Sequence, residues 1–494
     1  MEFAIASAVS ERPKADLVVV PIFKRELAVR AFSAASDLHS VIDSILKAGD
    51  FDGKKGATLL AYLEEKREKR LLLLGIGEEP KVDLETLRRS FASAIKRCRG
   101  KRWLKVNVIV PELKKWTSDE VARAIVEGIS LSSYVFEEWK AKAHQELFYT
   151  ERVTLVGTLS IEVVDRVVRI MTGVNLARDL VNKNALDITP QALAQEARQL
   201  AHHYSSVKAD ILSKKQIEKA GMGLFLAVAN ASQMDPALIV LEYRNDPQSD
   251  DLTMVVGKGV TFDTGGLNIK PTKFIEDMRA DMGGAASALG IIQAAAAIQL
   301  EANIVVIIPA TENAIGSRSY KPGDVYRSYL GKSVEITNTD AEGRLILADA
   351  IAYGQKRFAP SRIIDLATLT GAIIVSLGSV RMGLFSNNDA LAKCCEHAGE
   401  ATGERVWRLP LDEDYRSLLD SDIADLCNAS KKRDAGSVTA ALFLKEFVQG
   451  DTPWIHLDIA GTAFLDAPEH YHLTLATGIG VRLVICLIEK ISLL

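Results

Sequence analysis

Two stretches of the chain concentrate residue types that can do chemistry. The first runs Val256-Gly-Lys-Gly-Val-Thr-Phe-Asp-Thr-Gly-Gly-Leu-Asn-Ile-Lys-Pro-Thr272, with Asp281 beyond it. The second is Asn338-Thr-Asp-Ala-Glu-Gly-Arg-Leu-Ile-Leu-Ala-Asp-Ala350. In the first, an apolar strand pattern runs into Gly257-Lys258-Gly259. Ligands of open α/β sheets bind beyond the carboxyl ends of the strands, which is where Lys258 would lie. Asp263 stands before Gly265-Gly266, a pair that permits a tight turn and close backbone approach. Lys270 follows, fixed by Pro271, and Asp281 opens a helical pattern whose next residues are mostly small. In the second stretch Asp340 and Glu342 are two apart, a spacing that in extended backbone points both carboxylates to one side. Arg344 then starts an amphipathic helical pattern.

Each feature also has an ordinary reading. Asn338, Thr339 and Asp340 are good helix N-caps, Lys258 could be a solvated strand end, Asp263 a turn former, and Asp281 an acid favoured by a helix dipole. Their combination argues otherwise, because the acids and lysines lie in Gly-rich, otherwise apolar surroundings. Burying four carboxylates together is costly unless cations neutralise them, and two divalent ions would offset four. Oxygen-rich donors suit Mg²⁺, Mn²⁺ or Zn²⁺. Two such ions about 3.5–4 Å apart can share a bridging hydroxide and polarise a carbonyl or phosphoryl oxygen. None of the eight histidines falls in either stretch, and no H-E-x-x-H is present, which excludes a single-zinc protease helix. Phe262 stands where a G-x-G-x-x-G loop needs its third glycine, and no G-x-x-x-x-G-K-[ST] or G-x-S-x-G occurs.

The elements that must position these residues follow from length and patterning. A chain of 494 residues suggests two to four domains. Its 48% apolar and 25% charged residues are ordinary for a globular protein. Sixty basic against 64 acidic residues give a net charge of −4, which argues against a protein built mainly to coat nucleic acid. Five cysteines without a C-x-x-C pair read as reduced thiols and a cytoplasmic location, with Cys394-Cys395 as core packing. No run of about 18 apolar residues offers a membrane span, and the first residues make a poor signal peptide. Strand patterns at 17–22, 71–76 and 106–110 alternate with helical stretches near 29–48, 83–98 and 118–138. This is α/β alternation with a mostly parallel sheet. A helical pattern from Ile161 to Leu180 reads as a linker. The second part repeats the alternation, with strands at 224–228, 237–243, 252–256, 303–308, 362–366 and 454–459, and helices at 281–299, 345–356 and 477–491. The expected organisation is an N-terminal α/β domain over 1–160, a helical linker over 161–190 and a C-terminal domain over 191–494. Glu64 to Arg70 (EEKREKR) is expected to be a solvated helix face.

At these two stretches the sequence resembles the cytosol (leucyl) aminopeptidase family. The likeness extends through Ile364-Asp-Leu-Ala-Thr-Leu-Thr-Gly371, His456-Leu-Asp-Ile-Ala-Gly461 and Ala476-Thr-Gly-Ile-Gly-Val-Arg482. It implies a smaller N-terminal α/β domain and a larger catalytic α/β domain with a central mixed sheet flanked by helices. It implies a metallo-exopeptidase that removes N-terminal, leucine-like residues through a hydroxide bridging two ions, Mn²⁺ or Zn²⁺. Lys258, Asp263, Asp281 and Glu342 would hold the tighter ion, and Asp263, Asp340 and Glu342 the more exchangeable one. Lys258 can ligate only when neutral, so it would lose its proton to the incoming metal. Lys270 would stabilise the oxyanion, and Arg344 would anchor a bicarbonate general base. Met278, Thr368, Leu369, Gly371, Ala460 and Ala463 would line the substrate pocket. Ala463 departs from members with a methionine there, and 181–190 departs from the proline-bearing form common in the family. The implied assembly is a homohexamer, a dimer of trimers, acting on peptides with a free N-terminus.

Two other functions compete. A DNA-binding or regulatory protein on the same fold would use the basic cluster Lys96, Arg97, Arg99, Lys101, Arg102 and Lys105 around Trp103, which otherwise reads as a solvated helix end. A two-metal phosphoesterase would suit the acids alone, while Lys258 and Arg344 favour the peptidase. His202-His203 and His470-x-His472 read as surface histidines rather than metal sites.

Overall fold

The computed structural model describes all residues except 25–35, 65–66, 142–148, 433, 474 and 493–494. The chain divides into two compact units, Met1–Met171 with Ala467–Leu473, and Thr172–Asp466 with Thr474–Leu494.

The first unit holds a six-stranded sheet of β1 (Glu2–Ala6), β2 (Leu17–Phe23), β3 (Thr58–Tyr62), β4 (Arg70–Gly77), β5 (Lys105–Ile109) and β6 (Arg152–Val156). Their order is β1-β6-β5-β2-β4-β3. Every pairing is parallel except that of the edge strand β3 with β4. β2 and β4 are apolar and buried almost throughout, as strands covered on both faces must be. Helices Leu84–Lys96 and Ser118–Ser133 start where expected, capped by Asp83 and by a Thr117–Glu120 capping box. Of the helix expected over 29–48, Ser36–Ala48 is present and 29–35 lie outside the described residues.

The described residues of 64–70, which exclude 65–66, correct the expectation of a solvated helix face. Glu68 is fully buried and forks onto the Arg12 guanidinium at 2.8 and 3.1 Å, with Asn107 Nδ2 donating to it at 2.6 Å. Arg70 already belongs to β4. A charge-dense string hid one acid whose partner lies 56 residues away.

The second unit is built on a nine-stranded mixed sheet. Its strands are β7 (Val207–Leu212), β8 (Ala237–Arg244), β9 (Leu252–Gly257), β10 (Gly259–Asp263), β11 (Asn303–Asn313), β12 (Arg362–Ala367), β13 (Met382–Ser386), β14 (Val406–Arg408) and β15 (Trp454–Asp458). The order is β14-β13-β15-β12-β9-β11-β8-β7, with β10 added to β11. The central run β15-β12-β9-β11 is parallel, while β8 and β13 join it antiparallel. Helices Gly283–Ala297 and Glu342–Phe358 pack on β9 and β11. Nearly the whole circumference of the second is buried up to Gln355, so it is a core helix rather than the amphipathic one expected.

β11 does more than pair. Asn303 to Ile307 lie beside β9, and the strand then continues past the end of β9 to pair Ala310, Thr311 and Asn313 with Gly259, Val260 and Asp263 of β10. The expected linker is one helix, Ile161–Asn182, followed after a turn by Pro190–His203 with Thr189 as cap and Pro190 at its start. The boundary between the units falls within the first of these helices. Among the described residues no helix is long and apolar enough to cross a membrane. All five cysteines are free, and Cys395 is buried.

Residues 224–228, expected as a strand, are instead the helix Gly223–Ala229. A short apolar run buried on all sides has no periodicity that separates strand from helix. What decides it is Asp349, fully buried on the Glu342–Phe358 helix. Its Oδ2 accepts from Phe225 N at 3.0 Å and its Oδ1 from Tyr329 N at 2.7 Å. Burial pushes this carboxyl up to about 7, against backbone N–H groups that favour the anion. Asp349 therefore fixes the helix that begins with Glu342. Asp349→Ala leaves two buried N–H groups without acceptors and is expected to cost about 1–3 kcal/mol, read as a lower midpoint in urea unfolding; an unchanged midpoint would show that water replaces the carboxylate.

Candidate active site

Lys258 occupies the single residue between β9 and β10. Its N–H donates to Leu366 O of β12 at 3.0 Å, and its carbonyl accepts from Ala285 N at 2.9 Å, so strand end and helix start both fix it. Asp263 ends β10. Gly265 and Gly266 follow with φ of +85° and +64°, a left-handed turn that lets Lys270 N reach back to Thr264 O at 3.0 Å. Asp281 does not open its helix. It follows a 3₁₀ turn, Met278–Ala280, and the helix begins at Gly283.

The second stretch departs from extended backbone. Asp340 lies in a turn, and Glu342 is the first residue of its helix, after Ala341 at the cap. None of Asn338, Thr339 or Asp340 caps that helix. Asn338 Oδ1 accepts from Asp340 N at 2.9 Å, and the Thr339 hydroxyl donates to Gly265 O at 2.7 Å. These bonds tie the turn to the glycine loop of the first stretch. Asp263, Asp340 and Glu342 each offer an oxygen, and the three atoms lie within 4.8 Å of one another.

Two lysines stand among the acids. Lys258 Nζ lies 2.8 Å from Asp281 Oδ1 and 2.9 Å from Glu342 Oε1, and donates to Thr368 O at 2.9 Å. Lys270 Nζ lies 2.8 Å from Asp263 Oδ2 and 2.6 Å from Asp340 Oδ1. The geometry thus forms two charge groups, Lys258–Asp281–Glu342 and Lys270–Asp263–Asp340. Burial opposes charge on both lysines, yet the surrounding carboxylates hold both above the ordinary lysine range. Burial pushes the Asp281 carboxyl up to about 8 and Asp340 up to about 6, with Asp263 and Glu342 repelling them. Burial also opposes charge on Glu342, but Lys258 and Lys270 hold it below the usual range.

Four carboxylates against two ammonium groups leave a deficit of positive charge. Asp281 Oδ2 and Glu342 Oε2 are buried without a hydrogen-bond partner. Orphaned carboxylate oxygens of this kind fit a hard divalent cation. Close packing enforces the arrangement. A Cβ added at Gly343 would lie 2.5 Å from Lys258 Cε and 2.8 Å from its Nζ, so only glycine leaves room for the lysine.

Arg344, in the first turn of the helix, is pushed down to about 10 by burial. Its Nη1 donates to Asn428 O at 2.8 Å, and its Nε is buried without a hydrogen-bond partner. The remaining candidate positions border the lysine groups. Thr368 Oγ1 donates to Asp281 Oδ1 at 2.8 Å. A Cβ built on Gly283 would meet Thr368 Cγ2 at 3.3 Å and Ala463 Cβ at 3.4 Å, so these two side chains converge over the helix start. Met278, Leu369 and Ala460 are half-buried and Gly371 is exposed.

Sequence reasoning missed the residues that hold the acids in place. Asn313 Nδ2 donates to Asp263 Oδ1 at 2.7 Å and to Thr339 O at 3.0 Å. Tyr320 OH donates to the same carbonyl at 2.6 Å. Asn428 Nδ2 donates to Asn338 O at 2.7 Å. The one available signal was Asn313, a polar residue closing a long apolar strand. Elsewhere, Trp103 of the basic cluster is buried beneath the Arg70 guanidinium and Lys101 ammonium, 5.0 and 4.3 Å from its ring centre. Among the described residues no histidine or cysteine joins a metal-type group of three.

Comparison with known proteins agrees with this geometry. Residues 175–485 match the model of the cytosol aminopeptidase family catalytic domain, and residues 19–143 that of the same family's N-terminal domain. A probable cytosol aminopeptidase of Protochlamydia amoebophila is 47% identical over 100% of this chain and 99% of its own. One from Chlamydia felis is 44% identical over 97% of each chain. The solved bottromycin maturation enzyme BotP in complex with Mn superposes with a TM-score of 0.86 at 31% identity, over 97% of this chain and 100% of its own. The chain therefore belongs to the cytosol aminopeptidase family, a family of metal-dependent peptidases.

Proposed function

We propose that this protein is a two-metal aminopeptidase that hydrolyses the N-terminal peptide bond of peptides and prefers leucine-like first residues. The observation that carries the reading is the buried group of four carboxylates with too little positive charge and with orphaned oxygens on Asp281 and Glu342. Lys258, Asp263, Asp281 and Glu342 would hold one ion, and Asp263, Asp340 and Glu342 the other. Manganese is supported by the similar enzyme solved with Mn, and zinc suits the same donors. Such ions polarise a carbonyl and make water a nucleophile at neutral pH.

The chain's own residues do the rest. Lys258 now bridges Asp281 and Glu342 as an ammonium, and it must release a proton before its nitrogen can donate a lone pair. Lys270 keeps its charge between Asp263 and Asp340 and offers it to the developing oxyanion. Arg344 has a buried Nε without a hydrogen-bond partner, a donor suited to a bicarbonate that takes the proton from water. The substrate's free α-amino group docks on the same charged group, which restricts cleavage to N-termini. Met278, Thr368, Leu369, Gly371, Ala460 and Ala463 receive its side chain. The small Ala463 leaves space for residues as large as leucine. A homohexamer, as a dimer of trimers, is part of the same proposal, and the exposed apolar residues Val375, Trp407 and Ile423 are compatible with burial against another copy. Free, largely buried thiols are compatible with a cytoplasmic location.

Release of leucine from a leucyl peptide by the Mn²⁺- or Zn²⁺-loaded protein tests the reading directly, and no release would sink it. Glu342→Ala, which removes an acid of the Lys258 group and a donor proposed for both ions, is expected to abolish turnover and to lower bound metal measured by elemental analysis. Lys270→Ala is expected to lower kcat by about 10²–10³-fold while KM changes little; a change confined to KM would remove Lys270 from the chemistry. Gly343→Ala should displace the Lys258 side chain and reduce activity by at least about tenfold, with the protein still folded by circular dichroism.

A further inference from the structure

Beside the charged group lies a second buried polar hub that none of the roles above uses. Asp458 closes β15 and is almost fully buried. Its Oδ1 accepts from Leu369 N at 3.1 Å and from Ala460 N at 3.2 Å. Its Oδ2 accepts from Thr370 Oγ1 at 2.7 Å. The Thr370 hydroxyl also lies 2.8 Å from Ser437 Oγ, on the helix Gly436–Lys445, and receives Ile373 N at 3.2 Å at the head of the helix Gly371–Leu377. One carboxylate thus gathers the loop after β12 and the turn after β15.

Both segments reach the site. The loop carries Thr368, whose carbonyl receives Lys258 and whose hydroxyl binds Asp281. The turn carries Ala463, whose Cβ, like Thr368 Cγ2, borders Gly283 at the helix start. Two residues earlier on β15, and so on the same face, His456 lies buried between the Phe385 and Trp454 rings. Its Nδ1 is 2.5 Å from Asp365 Oδ1, while Trp454 Nε1 donates to Asp365 Oδ2 at 2.7 Å. Burial opposes charge on His456, but Asp365 holds its pKa above the ordinary value. Burial pushes the Asp458 carboxyl up, and the His456 imidazolium pulls the other way. The hub is therefore locked by a packed aromatic layer beneath it and carries its own counter-charge.

We propose that Asp458 is a specificity-determining positioning residue: its carboxylate sets the separation of the 368–371 and 460–463 segments, and so the width of the space that takes the substrate's first side chain. This rests on the reading that those segments receive that side chain. Asp458 touches no reacting atom in this scheme and acts through Leu369, Thr370 and Ala460.

The test measures kcat/KM of the metal-loaded protein on leucine and alanine p-nitroanilides, together with bound metal. Asp458→Ala frees both N–H groups and the Thr370 hydroxyl, and is expected to reduce the leucine-to-alanine ratio by about tenfold, the scale of a lost pocket contact, with metal content unchanged. Asp458→Asn keeps an acceptor for Leu369 and Ala460, and its amide can donate to Thr370, so it should restore the ratio. Should Asp458→Ala fail to fold, Thr370→Val removes the hydroxyl link alone and should lower the ratio about threefold. A wild-type ratio in Asp458→Ala or Thr370→Val, or an Asn variant as impaired as the Ala variant, overturns the proposal. A wild-type protein that cleaves neither compound overturns the functional reading itself, and this inference with it.

Discussion

Four carboxylates must coexist in a space that water scarcely enters. Asp263, Asp281 and Glu342 are buried, while the Asp340 side chain at their margin keeps 33% of its exposure. Isolated, each would be driven to protonate by the loss of hydration. The fold answers with every source of positive potential within reach. Lys258 and Lys270 insert between the acids. Glu342 is the first residue of its helix, at the positive end of the dipole, and Asp281 lies just ahead of another helix start. Backbone and side-chain N–H groups of Gly265 and Asn313 saturate Asp263 Oδ1. What remains uncompensated is the demand that a divalent cation satisfies.

That demand dictates how tightly the surroundings pack. The acids come from three separate segments, so the segments must approach almost to backbone contact. A Cβ on Gly284 would lie 2.0 Å from Leu366 O and 2.8 Å from Lys258 N. Small residues at these crossings carry no chemistry, yet they decide whether lysine and carboxylate can meet. The Gly-rich, small-residue character of both stretches is the outward mark of that crowding.

The chemistry-bearing residues were legible because they are unusual types in an apolar context, at spacings that few structural roles require. The long core strands were legible for the same reason: β2, β4, β9 and β12 are apolar runs bounded by turn residues. β1 and β3 are mostly apolar but only five residues long, and β7 and β13 are interrupted by Lys208, Asp210 and Gly383, so none stands out. Residues 224–228 misled because a fully buried segment loses the alternation that distinguishes helix from strand. Asn313 gave only the hint of a polar residue closing an apolar strand, and the supporting contacts of Tyr320, Asn428 and Asp458 gave none. Each is a single polar residue whose meaning lies in a partner tens of residues away.

The strand β11 has a further implication. Its first residues pair with β8 and β9 in the body of the sheet, while its last residue orients Asp263. It acts as a ruler between core and site. Side chains alternate along a strand, so inserting or deleting one residue would turn Asn313 to the opposite face and strand Asp263 without its donor. Length variation during evolution is therefore barred from this segment although most of its side chains only pack, and any tolerated insertions should gather in the surface loops that leave its register untouched.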